Sequence, residues 1–166
     1  MIASMILREF RPTDLEAVAQ MFTASVHGLA SPHYSEAQLL AWAPKPPDLE
    51  RWAVKVQSQK LLLAVTPDSA ELLGFVGFEP DGHVDTLFTS PTHARRGIAA
   101  ELHRAAEHEL AKLGVHELFT ESSEAARPFF ERQGYAVERR EIVAIRGVEL
   151  HRYRMRRPAS CEPRTR

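Results

Sequence analysis

Gly82-His83-Val84-Asp85-Thr86-Leu87-Phe88-Thr89-Ser90-Pro91 runs directly into Thr92-His93-Ala94-Arg95-Arg96-Gly97-Ile98-Ala99. From His83 to Thr89 polar residues alternate with apolar or β-branched ones, the period of a strand whose two faces differ. Pro91 cannot donate to a ladder and ends it. Beyond Gly97, the residues Ile98, Leu102, Ala105, Ala106, Leu110 and Leu113 recur at helical steps, and Gly114 supplies a C-terminal stop. The stretch therefore reads as strand, basic turn, helix. A helix N-terminus already carries unpaired N–H groups and about half a positive charge, so Arg95 and Arg96 beside it point to an anion as partner. Gly97 lets a phosphate approach the backbone, and Ala99 and Ala100 keep the helix start uncrowded.

The elements on either side read outward from this centre. Before it, Met5–Phe10 forms a strand, and Thr13 with Glu16 has capping-box spacing ahead of a helix lined by Leu15, Val18, Phe22 and Val26. Ser35 with Gln38 opens a second, short helix that Pro44, Pro46 and Pro47 break. Asp48 caps a third through Leu49, Trp52, Val54 and Val56. Strands at 60–66 and 71–79 turn at Asp81-Gly82 into the central strand as an antiparallel meander. After it, 115–120 is a strand, Glu121-Ser122-Ser123 a turn, and 125–133 a helix ended by Gly134. Strands 135–145 and 148–156 then meet at an Arg146-Gly147 turn, with a bulge expected where the apolar parity changes between Leu150 and Tyr153.

Composition bounds the function. The chain has 166 residues, 44% hydrophobic and 26% charged, with a formal net charge of -1. That is one domain's worth of an ordinary globular chain, without the basic excess of a nucleic-acid binder. We expect a single domain over residues 1–157 and a flexible tail over 158–166. Cys161 is the single cysteine, and no apolar run approaches a membrane span, so a cytoplasmic protein is expected. Eight histidines raise a metal site, yet His103 and His108 are five apart and fall off one helical face, and none is predicted.

The run from Leu87 to Ala99, with Pro91 six residues before Gly97 and Gly97-Ile98-Ala99 opening a helix, resembles the acetyl-CoA-binding motif of the GNAT superfamily of N-acetyltransferases. Ala94 stands where that motif carries Gln or Arg. The segment from Glu124 through Phe129, Phe130 and Gly134 to Tyr135 is similar to the family's second recognisable segment, and His33-Tyr34-Ser35 with Ala41-Trp42-Ala43-Pro44 is similar to a bacterial branch. The resemblance implies a GNAT fold of the α/β (α+β) class: a mixed, mostly antiparallel twisted sheet of about six to seven strands flanked by about four helices.

It also implies an acetyl-CoA-dependent N-acetyltransferase acting on a small-molecule or peptide amine in a ternary complex. Leu87, Phe88 and Thr89 would hold the pantetheine arm, and Arg95, Arg96, Gly97, Ile98, Ala99 and Ala100 the pyrophosphate. For the proton acceptor, His83 and Asp85 share a strand face. An unperturbed histidine titrates near pH 6.5 (about) and an adjacent carboxylate raises it. The alternative is a solvated histidine with Asp85 in a structural ion pair, and Glu79 is a weaker candidate base. Phe130 occupies the cofactor-contacting position where family members often carry an acidic tyrosine. Ser123 stands where they often carry a cofactor-contacting asparagine, so its hydroxyl is a candidate acid and a candidate helix cap. The acceptor pocket is expected between the early helices and the final hairpin, with His27, His33, Tyr34 and Tyr153 on its wall and Trp42 either there or in the core. A non-catalytic acyl-CoA-binding sensor or interaction module is the competing reading. The chain is expected as a monomer or a homodimer, without nucleic acid or membrane partners.

Overall fold

The computed structural model describes residues 4–158. Strand β1 (Ile6–Glu9) leads through a 3-10 turn at Pro12–Asp14 into α1 (Leu15–Leu29). Asp14, not Thr13, holds this junction: its carboxylate accepts from the Arg11 amide at 2.7 Å and from the Arg8 guanidinium at 2.8 Å. The 3-10 turn started by Pro12 has shifted the helix start past the predicted cap. The capping box of α2 (Glu36–Trp42) forms as predicted, with the Ser35 hydroxyl accepting from the Gln38 amide and the Gln38 side chain accepting from the Ser35 amide. Asp48 likewise accepts from the Arg51 amide at the start of α3 (Leu49–Ser58).

Strands β2 (Lys60–Val65), β3 (Leu72–Phe78) and β4 (Val84–Thr89) continue as an antiparallel meander, giving a sheet of order β1-β2-β3-β4. Helix α4 (Ile98–Lys112) crosses back over it. β5 (Glu117–Ser122), α5 (Arg127–Arg132), β6 (Ala136–Ile145) and β7 (Val148–Pro158) follow, with the three strands in a second antiparallel sheet of order β5-β7-β6. Among the described residues the fold has seven strands and five α-helices, all three early helical stretches being realised. Pro158 closes β7, and the rest of the expected tail lies outside the described residues.

Period-2 alternation on β2 divides the core in two. Leu62 and Ala64 pack with Ile98, Leu102, Ala106 and Leu110 of α4, while Leu61, Leu63 and Val65 pack with Val18, Phe22, Val26 and Trp52 of the early helices. Three apolar residues of the helical patterns, Leu49, Val54 and Leu113, are exposed. The bulge lies in β6 between Val137 and Arg139, opposite β7, not within β7. His103, fully buried on α4, bonds to the Tyr135 hydroxyl at 2.8 Å. Burial, helped by nearby Arg157, lowers its pKa to about 4, so it is a neutral core histidine. No helix among the described residues is long and apolar enough to cross a membrane.

Candidate active site

The site begins where the two sheets touch. Gly82 has φ +101°, and a Cβ there would stand 2.2 Å from the Glu117 carbonyl oxygen. This glycine lets β5 close on β4: the Phe119 amide donates to the Gly82 carbonyl at 3.1 Å, and the Thr120 hydroxyl donates to the Val84 carbonyl at 2.7 Å. A single parallel bridge, His83 to Phe119, joins the strands. Past it they diverge, and Thr86 to Thr89 pair with β3 alone, leaving the other backbone edge of β4 without a strand partner among the described residues. Leu87, Phe88 and Thr89 lie on this edge. The edge leads to the basic turn, where Arg95 (φ +60°) and Gly97 (φ +82°) both take left-handed backbone, and Gly97 caps α4 without any side-chain hydrogen bond. The first amides of α4, from Ile98 to Ala100, are therefore available to an anion.

Against the diverging strands lies a cavity of about 190 Å³, between α1–α3 and the β6–β7 hairpin. Phe22, Trp42 and Trp52 give it an aromatic wall, and Asp85 and Glu121 a polar one. Asp85 accepts from Lys55 Nζ at 2.7 Å and Gln59 Nε2 at 2.8 Å. Burial pushes its pKa up, but Lys55 and Gln59 outweigh that and hold it below the usual carboxylate range. Glu121 is held low chiefly by the bond from His83, against its burial, and its second oxygen accepts from Arg154 at 3.1 Å.

His83 stacks on Phe119 and is bonded at both ring nitrogens, Nδ1 to Glu79 at 2.7 Å and Nε2 to Glu121 at 2.5 Å. Burial pushes its pKa down, but the bonds to Glu121 and Glu79, with Asp85 3.9 Å away, raise it to about 9. This corrects the expectation of a proton acceptor at pH 7. Two carboxylates capture both nitrogens, so the imidazole is a cation with no lone pair to offer. The group facing the cavity is Glu121. Sequence reading placed Glu121 in a turn. It meets His83 across 38 residues of chain, and no local pattern announces that.

The other candidates divide. Tyr34 lines the cavity; its hydroxyl accepts from the Glu124 amide at 2.8 Å and donates to the His151 carbonyl at 3.4 Å, and burial raises its pKa. Ser123 also lines it, with its hydroxyl accepting from the Ala126 amide at 3.1 Å as a cap for the turn into α5. Trp42 is on the wall, in edge-to-face contact with Phe22 and Tyr34. The remaining predicted positions lie elsewhere. His27 donates to the Ala43 carbonyl at 2.8 Å and ties α1 to the end of α2. His33 is exposed. Tyr153 is buried under the Arg127 guanidinium, 4.7 Å from its ring centre. Phe130 is buried among Phe129, His103 and Tyr135, in the core beneath α4 and away from the cavity wall. Arg51 and Lys55 of α3, and Gln59 just after it, went unmarked in the sequence, because their side chains reach the cavity wall or Asp85 only once α3 packs beside β4.

The sequence and the fold have known relatives. A family model described as the acetyltransferase (GNAT) domain matches residues 30–157. The uncharacterized N-acetyltransferase YafP of Escherichia coli K12 is 32% identical over 150 residues, spanning 90% of this chain and 93% of that protein. A crystal structure described as a GCN5-related N-acetyltransferase, "Aminotransferase, Class-II", from Rhodopseudomonas palustris is 30% identical with a TM-score of 0.88, covering 95% of this chain and 98% of the other. The PaiA N-acetyltransferase of Thermoplasma acidophilum, solved in complex with coenzyme A, has a TM-score of 0.69 over 93% and 99% of the two chains; at 18% identity that likeness is one of fold.

Proposed function

The chain belongs to the GNAT acetyltransferase family, and from that premise we propose that it moves an acetyl group from acetyl-CoA to the primary amine of a small molecule seated in the cavity. The observation that carries this reading is the meeting of three features: the unpaired edge of β4, the uncapped α4 N-terminus beyond it, and a cavity whose inner wall presents ionised Asp85 and Glu121.

The residues fit acetyl-CoA. A left-handed glycine cap leaves the first α4 amides without a side-chain acceptor, and Arg95 and Arg96 stand exposed beside them, so this turn would bind the pyrophosphate. Backbone groups of Leu87 to Thr89 would bind the amide-bearing arm in the manner of an added strand. Bound there, acetyl-CoA supplies an acyl carbon activated by a sulfur leaving group.

The chain's own part is to hold the amine and remove its proton. Asp85 and Glu121 attract the ammonium form into the cavity, and their ionised state suits that task. The ammonium first gives one proton to solvent, which frees its lone pair. As the neutral nitrogen bonds to the acyl carbon the carbon–sulfur bond breaks, its electron pair leaves with the thiolate, and Glu121 takes the second nitrogen proton, directly or through a water, and passes it to solvent. His83 acts behind Glu121 as a positioning residue: its Nε2–H fixes the carboxylate oxygen, and its charge balances the carboxylates around it. Fixing two reactants in one cavity supplies much of the remaining rate enhancement.

Calorimetric titration with acetyl-CoA tests the reading. Expected is binding near 1 µM, about -8 kcal/mol, weakened about tenfold in the Arg95→Ala/Arg96→Ala double variant. Release of free thiol in the presence of primary amines should follow. Absence of acetyl-CoA binding would overturn the proposal, and binding without thiol release from any amine would leave a non-catalytic module instead.

A further inference from the structure

The charges around the cavity are paired off one by one, and what remains points to the acceptor. Asp48 is bridged by Arg146 at 2.7 Å, and Asp85 by Lys55 at 2.7 Å. Glu121 is bridged by His83 and Arg154, and Arg152 pairs with Glu141 at 2.7 Å. Arg51, which lines the cavity but is solvent-exposed, has no carboxylate within ion-pair distance among the described residues. The unpaired charge of the cavity is thus positive.

Two further polar groups on the same wall await a partner. The Thr23 hydroxyl, on a residue only 7% exposed, has none, and neither has the buried Nδ1 of His151. Buried polar atoms are nearly always hydrogen-bonded, and these two orphans belong to residues that line one cavity. A polycationic amine does not answer this pattern, because each extra ammonium would have to displace Lys55 or Arg146 from a carboxylate already engaged.

Resting on the N-acetyltransferase reading, we propose that the acceptor is a small amino-acid-like molecule whose amine lies toward Asp85 and Glu121 and whose own oxyanion, a carboxylate or a phosphonate-type group, is received by Arg51. Arg51 and Lys55 are four residues apart on α3, about 6 Å along the axis and on one face, and Lys55 marks the amine end through Asp85. The Arg51 fork matches the geometry of an oxyanion, and Phe22, Trp42 and Trp52 cover the ligand's apolar body. The cavity, at about 190 Å³, is below the roughly 300–1,000 Å³ of drug-sized sites and suits a ligand of this size.

The experiment follows acetyl-CoA-dependent thiol release with matched acceptors: free amino acids, their amides, the decarboxylated amines, the corresponding aminophosphonates, and diamines. Expected is a kcat/KM for acids at least ten times that for their amides and amines. In Arg51→Ala that ratio should fall about tenfold, chiefly through KM for the acid, with Arg51→Lys in between. Thermal denaturation gives a readout without turnover: the preferred acid should raise the melting temperature of the wild-type protein more than that of Arg51→Ala. A preference for aminophosphonates over carboxylates supports the proposal with phosphonate-type anions as the group received. Preference for diamines or decarboxylated amines, or an acid-to-amide ratio equal in wild type and Arg51→Ala, overturns it and leaves the N-acetyltransferase reading standing. Failure to bind acetyl-CoA would remove that reading, and this proposal with it.

Discussion

Raising the pH from 6.5 to 9.5 discharges His83, and the structure says what that does to stability. The imidazolium lies between Glu79 and Glu121 with its side chain only 16% exposed, and its pKa of about 9 stands above the 6.5 of a free histidine. The gap, at 1.36 kcal/mol per pH unit, corresponds to about 3 kcal/mol. Because the folded value is the higher one, this contribution is complete below pH 6.5, shrinks as the pH rises from there, and is gone above about pH 9. It is a sizeable part of the roughly 5–15 kcal/mol that holds a domain folded. Urea unfolding of the wild type and of His83→Gln at pH 6.5, 8 and 9.5 isolates it, since titrations common to both proteins cancel in the difference. The stability advantage of the wild type over the variant should narrow by about 3 kcal/mol across that range. Parallel stability curves, or an NMR titration giving His83 a pKa near 6.5, would refute the reasoning, because the bracketing carboxylates would then not be holding a cation.

Other perturbations follow from the same geometry. Glu121→Gln should lower kcat about a hundredfold and, by removing one of the two carboxylates, bring the His83 pKa down from about 9 toward neutrality; a full-rate variant would exclude Glu121 as the proton acceptor. Gly82→Ala places a Cβ 2.2 Å from the Glu117 carbonyl at a φ of +101°, and should destabilise by about 2 kcal/mol or more in urea unfolding. A neutral effect would mean that β5 shifts freely against β4. Tyr135→Phe leaves buried His103 without its hydrogen-bond partner and should lower stability by about 1–3 kcal/mol, while leaving acetyl-CoA affinity, measured by calorimetry, within twofold.

Much of the fold could be read along the chain because its information is local. Alternation around Val84–Thr89, the helical repeat from Ile98, the Ser35–Gln38 box and the Asp48 cap each depend on residues a few positions apart, and each forms. The Thr13–Glu16 box fails for an equally local reason, since Pro12 starts a 3-10 turn that hands the junction to Asp14. Sequence also singles out the Arg95–Ala100 turn, because one short loop contains all of its parts.

The polar wall of the cavity is another matter. Its ion pairs link Lys55 to Asp85 across 30 residues and His83 to Glu121 across 38, and the Arg146 turn reaches Asp48 across 98. Residue type alone made His83 a neutral base, and two carboxylates brought in from β5 and the end of β3 make it a cation. His27 and Tyr153 carry the chemistry of ligand-binding residues, but packing spends them on the Ala43 carbonyl and the Arg127 guanidinium. Strand, helix and basic turn are set by neighbours in the chain, where periodicity and capping act. Protonation states, and which side chains face the cavity, are set by neighbours in space, where charge and burial act.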